Sequence, residues 1–296
     1  MKIVFSRKGF DSSYGGMPSP ILPGLGPVSL PIPSDAGESA SAFRTAGLPL
    51  AALLTDLSRH KHDAGTIVHF DPDLDPTSRR RRHGWRAAFG QVGAAQSHLA
   101  NRGVGVGDLF LFFGWFRHAE PHAGGWRFVP GTAGFHAIFG WLQVGTMIRM
   151  PDGDTRHVPR WLANHPHVIH AGRFSGRGNT IYVAADRLQL DGCQGIAAAG
   201  RLQRWSDRLR LSAERENRSI WSVPSWLEPR PGRTPLSYHD RADRWSRHGD
   251  RLHLQTVAKG QEFVLDCRDY AEAIPWSRDL IRAHAGTTHL DATPGA

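Results

Sequence analysis

Two aromatic runs constrain this chain more than any other feature. Leu109-Phe110-Leu111-Phe112-Phe113-Gly114-Trp115-Phe116-Arg117 and His136-Ala137-Ile138-Phe139-Gly140-Trp141-Leu142-Gln143-Val144-Gly145 have no alternation of apolar with polar residues. Runs of this length and composition read as strands buried on both faces, here facing each other across a Gly-, His- and Pro-rich loop from His118 to Gly134. Gly107-Asp108 forms the entry turn, because glycine accepts positive φ and aspartate bonds its own backbone. Gly114 and Gly140 interrupt the strands at similar depth, which predicts a bulge, a barrel bend or a close approach of another group. The plain structural use of the pair is a barrel core.

A chain of 296 residues is long enough for one large or two small domains with a substantial core. With 36 Lys and Arg, 27 Asp and Glu, and 17 His, its formal charge is +9, which favours partners carrying phosphates. Four of the basic residues are lysines and the rest arginines, whose planar fork suits phosphate and guanine. Cys193 and Cys267 stand far apart with no Cys-x-x-Cys pair, so neither a disulfide framework nor a zinc ribbon is supported. No apolar run approaches the roughly 20 residues of a membrane-crossing helix. The expectation is a cytoplasmic protein with no membrane partner.

At the N-terminus, Ile3-Val4-Phe5 reads as a short strand running into Ser6-Arg7-Lys8-Gly9-Phe10-Asp11-Ser12-Ser13-Tyr14-Gly15-Gly16. Loops of this make-up present backbone amides and cations to a phosphate, although an ordinary Gly-rich turn uses the same residues. The spacing matches neither a Walker loop nor a dinucleotide fingerprint. Six prolines between Met17 and Pro33 dictate an extended, irregular segment with an edge strand at Val28-Ser29-Leu30, and Ser34 to Gly47 reads as a mobile polar insert. Pro49 to His60 has a leucine face at helical spacing, with Leu50, Leu53, Leu54 and Leu57.

Thr66 to Phe70 reads as a strand delivering Asp71-Pro72-Asp73-Leu74-Asp75-Pro76. Carboxylates at alternate positions suit oxygen ligation of a metal or a general base, and equally a helix cap with a solvated turn. Arg79 to Arg82 reads as an exposed basic loop. From Trp85 to Asn101 the pattern predicts a helix with Gln91, Ala94, Ala95 and His98 on one face. His165-Pro166-His167 offers two imidazoles but no visible third ligand, so it reads as a structural loop and no metal site is assigned. Asn179 to Ala184 reads as a strand; Arg201 to Leu211 is ambiguous; Trp221 to Trp226 is an aromatic strand end. Ser237-Tyr238-His239-Asp240 cannot form a direct relay, because neighbours on a strand point to opposite faces. Gly260 to Asp266 reads as a closing strand, and residues 286–296 as a disordered tail.

The segments Met1 to Gly16, His69 to Leu74, Phe89-Gly90-Gln91 with Ala94-Ala95-Gln96-Ser97-His98-Leu99, Gly107 to Arg117, His136 to Gly145, Asn179 to Ala184 and Leu236-Ser237-Tyr238-His239 resemble, in order, the nucleotide modification associated domain of the third type. The likeness spans nearly the whole chain, with residues 1–285 as a single domain. It implies a role in DNA or nucleotide base modification systems of bacteria and phages. Locally, Gly107-Asp108 before one apolar strand and Gly140-Trp141-Leu142-Gln143-Val144 ending the other resemble pseudouridine-synthase-and-archaeosine-transglycosylase-like (PUA-like) barrels, including domains that read modified bases. Such barrels hold a flipped base in an aromatic pocket.

The sequence therefore predicts an α+β fold, mostly β, with a PUA-like or barrel-like mixed sheet from about residue 66 to 270 and a few flanking helices. For an enzyme, Arg7 and Lys8 hold a phosphate, Asp11, Asp71 or Asp73 is acid or base, and Trp115 or Trp141 stacks the base; Ser12, Tyr14, Gln91, Gln96 and His98 complete the nucleotide site. For a non-catalytic reader, the Trp-lined pocket with Arg117 suffices. A third alternative is a partner subunit presenting substrate to another protein of a DNA-modification pathway. The partner is DNA or a nucleotide in the first two readings. No signature for nicotinamide, adenosylmethionine or a sugar nucleotide is present, so the cofactor stays unknown.

Overall fold

A computed structural model describes residues 1–257 and 262–286 of the chain. The expected tail thus lies almost wholly outside the described residues, as do Gly260 and Gln261 of the expected closing strand. The aromatic runs form two long strands, Leu109–His122 and Phe135–Arg149, paired antiparallel with Trp115 opposite His136 and Leu109 opposite Gln143. A register shift between Ile138 and Gly140 is the predicted bulge. Gly140 also allows close approach: a Cβ there would lie 2.9 Å from the Gly200 carbonyl oxygen, and one at Gly114 would lie 2.7 Å from that of Lys8.

The N-terminal strand Lys2–Arg7 runs parallel to the first long strand and antiparallel to the closing strand Glu262–Asp266. On the other side, Thr180–Ala184 pairs with the second long strand and then with Ala88–Gln91. These six form the spine of a ten-stranded mixed sheet. Phe89 stands three strands away from Phe110 and Phe112, about 14 Å in a flat sheet. Its ring nevertheless lies 5.0 and 5.3 Å from theirs, so the sheet curls until its edges approach. Gln91 and Glu262, on the two end strands, meet through a side-chain hydrogen bond.

Strand alternation sorts the apolar side chains onto two faces. Val4, Phe89, Phe110, Phe112, Phe139, Leu142 and Tyr182 fill the concave face. Ile3, Phe5, Leu109, Leu111, Phe113 and Trp141 point the other way. There they are covered by helix Ala273–His284 and a small sheet of Ile220–Pro224, Trp245–His248 and Arg251–Gln255. The mostly β, α+β reading agrees with this architecture. The C-terminal helix is not among the expectations above, although Ala273, Ser277, Leu280, Ile281 and His284 recur at helical spacing and are buried.

Several expectations need correction. The sheet does not begin near residue 66, since Lys2–Arg7 lies in its spine, and His118 to Gly134 is not all loop, since the first long strand runs to His122 and pairs with Gly125–Phe128. Residues 34–47 are not a loose polar insert: Ile32–Ser39 pairs with Ile67–His69, and Phe43 is buried, stacked on Phe70 at 4.4 Å. Those contacts with helix Leu50–Leu57 form a separate apolar cluster. Val28-Ser29-Leu30 is no strand; Ser19–Leu22 and Gly26–Pro27 pair instead, and the Leu30 amide donates to the Ser19 hydroxyl at 3.0 Å. Between Trp85 and Asn101 only Gly93–Asn101 is helical. Ala88–Gln91 is a strand, and the chain turns through Val92 into the helix, whose first residue Gly93 has φ +67°, so Gln91 and His98 share no helix face.

Phe112 is fully buried at the centre of the curled sheet. Phe112→Ala is expected to cost about 3–5 kcal/mol, read as a lower urea midpoint at unchanged slope.

Candidate functional site

Where the N-terminal strand ends, the chain enters the loop that the sequence marked for a ligand. Asp11 closes this loop on itself: its Oδ1 accepts from the Ser13 and Tyr14 amides, both at 2.7 Å, and its amide donates to the Tyr14 carbonyl. The loop forms one wall of a cleft of about 300 Å³. Arg7, Asp11, Ser12 and Trp115 line it together with His136, Asn217, Arg218 and Trp221.

Strand register builds the floor. Trp115 and His136 are cross-strand neighbours on the two long strands, and Arg7 pairs with Phe113 one strand over. The Trp221 indole N–H, which can only donate, reaches His136 Nδ1 at 3.0 Å, so the neutral imidazole carries its proton on Nε2. Burial, followed by the positive charges of Arg7 and Arg218, pushes the His136 pKa down to about 3. Arg218 lies over the Trp115 ring at 4.2 Å and donates to the Ser12 hydroxyl at 3.2 Å. Among the described residues neither Arg7 nor Arg218 has a carboxylate partner. Two guanidinium groups, an uncharged N–H donor and aromatic walls are suited to an anionic, partly aromatic ligand.

The other residues singled out in the sequence fall elsewhere. Lys8 and Gln91 meet Ser6 at Glu262, whose Oε1 accepts from all three, with Lys8 Nζ at 3.2 Å. Burial pushes that carboxyl up, and the Lys8 charge pulls it back. Gln96 accepts from the Tyr182 hydroxyl at 3.0 Å, and His98 Nε2 lies 3.0 Å from the Ser237 hydroxyl. Tyr14 is exposed. Trp141 is a core side chain whose indole donates to the Ala197 carbonyl at 3.1 Å. Arg117 donates to Thr132 and Val129 and lies over Phe128. Asp73 is held by the Arg81 fork, one guanidinium N–H to each carboxylate oxygen at 2.6 Å, so the run Arg79 to Arg82 is not uniformly an exposed basic loop. Asp71 sits apart among His69, His165 and His167. Of the two imidazoles in His165-Pro166-His167, it is His167 that stands with two donors the sequence did not connect to it: His69, Asp71 and His167 could hold a metal ion.

His136, Asn217, Arg218 and Trp221 escaped the sequence reading as site residues. His136 carried a signal, since a histidine opening an otherwise apolar strand is unusual there; the other three come from a segment more than seventy residues downstream.

The curled mixed sheet with its flanking helices defines a mostly β protein of the α+β class. The chain belongs to the nucleotide modification associated domain 3 family, whose model matches residues 2–266. That membership places it with nucleotide modification systems. No curated protein and no solved structure matches it. Among the described residues no helix is long and apolar enough to cross a membrane.

In the unfolded chain a histidine titrates at about 6.5. The folded protein resists protonating His136 until about pH 3, so its contribution to stability is present above 6.5 and lost as pH falls from 6.5 towards 3. On acidification from pH 7 to 4.5, the urea midpoint of the wild type is expected to drop further than that of His136→Gln. Equal drops would remove His136 as a source of acid sensitivity.

Proposed function

We propose that the cleft binds a nucleotide unit, free or flipped from DNA, as the recognition step of a nucleotide modification system. The observation that carries this reading is the convergence of Arg7 and Arg218, without carboxylate partners among the described residues, on an aromatic-walled cleft floored by neutral His136. The guanidinium forks take the phosphate. His136 Nε2–H, Asn217 and the Ser12 hydroxyl offer polar contacts to sugar and base edge. Trp115, with the Arg218 guanidinium over its ring, gives the base an aromatic and planar surface to stack against. The formal charge of +9 favours DNA over a free nucleotide as the physiological partner.

Asp11 is the carboxylate best placed for chemistry, because it lines the cleft and only its Oδ1 is used in the loop. In this reading Oδ2 acts as acid or base on the bound nucleotide. The reader alternative uses the same cleft without that step, and a partner subunit from the same pathway would then perform it.

Titration with nucleoside monophosphates and with duplexes carrying a mismatched or extrudable base, followed by tryptophan fluorescence, tests the binding step. Arg7→Ala and Arg218→Ala are each expected to weaken binding by about tenfold or more, as for loss of a charged hydrogen bond of about 1.5–3 kcal/mol. Undiminished affinity in both variants would overturn the assignment. Asp11→Asn separates the enzyme from the reader: mass spectrometry of digested DNA from expressing cells is expected to show a nucleoside that the variant lacks while binding persists.

A further inference from the structure

Outside the cleft, three imidazoles surround one buried carboxylate. His69 ends the strand Ile67–His69, Asp71 follows it, and His165 and His167 lie at and just after the start of the short helix Pro166–Ile169. His69 Nε2 is 3.7 Å and His167 Nε2 3.8 Å from Asp71 Oδ2, and one ligand atom from each of the three residues lies within 4.8 Å of the others. The first two separations exceed hydrogen-bond reach. They are a few tenths of an ångström longer than the roughly 3–3.5 Å between donors that share one ion at about 2.1 Å.

Hydrogen bonding around the cluster fixes where the lone pairs point. Asn179 Nδ2 donates to the His167 carbonyl at 2.9 Å, which leaves its Oδ1 to accept from His167 Nδ1 at 2.7 Å. In the neutral ring the proton is therefore on Nδ1, and the bare Nε2 faces the Asp71 carboxylate. Two acceptors opposed in a buried setting repel unless a cation lies between them. The other carboxylate oxygen, Oδ1, is occupied from outside: the Gly90 amide donates to it at 3.0 Å. His165 Nδ1 accepts from the His167 amide, so its proton is on Nε2, a buried atom with no hydrogen-bond partner, 3.5 Å from the same Oδ1.

Local structure is shaped around these rings. A Cβ at Gly90 would lie 2.2 Å from the His167 imidazole, so the glycine of Phe89-Gly90-Gln91 makes room for it. Partners that fix the tautomer of a histidine and occupy the far oxygen of a carboxylate are the usual outer shell of a metal site.

We propose that His69, Asp71 and His167 bind one divalent first-row transition-metal ion, the histidines through Nε2 and Asp71 through Oδ2. Two imidazoles and a carboxylate suit zinc-class ions, and three protein donors leave a position for water or a further ligand. His165 and Asn179 are positioning residues. The partly exposed edge of His69 gives the ion its way in, since the side chains of Asp71 and His167 are each only 4% exposed. This site stands independently of the cleft reading.

The test uses the full, untagged chain at neutral pH, stripped of metal and titrated with Zn²⁺ by calorimetry and with Co²⁺ by visible absorption. One equivalent of either ion per chain, with ligand-field bands for Co²⁺, is the expected result. His69→Gln and Asp71→Asn are expected to abolish stoichiometric uptake, and Asn179→Ala to weaken it by roughly 10–100-fold. His69→Gln changes the partly exposed member, so retained far-ultraviolet circular dichroism separates lost ligation from lost folding. A folded wild type that takes up neither ion, or folded variants that take up both as the wild type does, would overturn the site.

Discussion

The antiparallel pairing of the two long strands is the contact on which the rest of the molecule depends. It sets Trp115 opposite His136, and so determines which side chains meet beneath the N-terminal loop. It also fixes which alternate residues face the concave core and which face the C-terminal helix. Because the side-chain period is two, a slip of one residue would exchange those faces and dismantle both cores at once. The bulge between Ile138 and Gly140 absorbs one register shift without exposing either face.

A polar contact where the curled sheet's edges meet complements that apolar pairing. Glu262 is almost fully buried, a costly place for a carboxylate, and three donors converge on its Oε1 while Oε2 has no partner among the described residues. The donors are Ser6 on the neighbouring strand, Lys8 just beyond that strand, and Gln91 on the far end strand. Removing one partner from such a buried pair costs about 3–5 kcal/mol, because the remaining charge stays desolvated. Lys8 and Gln91 thus hold the edges together, while Arg7, one residue earlier, points from the opposite face of the strand into the cleft. Strand alternation separates structure from recognition within one dipeptide.

Much of the frame was legible because it depends on local pattern. The two aromatic strands, the bulge at Gly140, the leucine-faced helix and the strand Thr180–Ala184 follow from hydrophobic period and glycine placement. Arg7, Asp11, Ser12 and Trp115, singled out by the loop's composition and the neighbouring strand's aromatic character, come together on one cleft. Residues 34–47 were misread because small polar side chains hide Phe43, whose anchoring partner Phe70 is distant in sequence. Trp141 was misplaced for a related reason: an aromatic strand residue has the same composition signature whether it faces a pocket or a core, and only the packing against Gly200 and the Ala197 carbonyl decides.

The sequence by itself determined that this chain builds a mostly β core from aromatic strands, carries excess positive charge, and follows its first strand with a Gly-rich loop bearing cations, a carboxylate and hydroxyls. These properties depend on residue type and short-range spacing, which the chain carries before it folds. Only the tertiary structure decided that Arg218 and His136 complete a cleft with Arg7, that Lys8 and Gln91 serve the core, and that Asp71 meets His69 and His167. Each grouping draws on residues far apart in sequence, Arg7 with Arg218, Lys8 with Glu262 and Asp71 with His167, and their geometry is set by strand order and the curl of the sheet, quantities that no local pattern encodes.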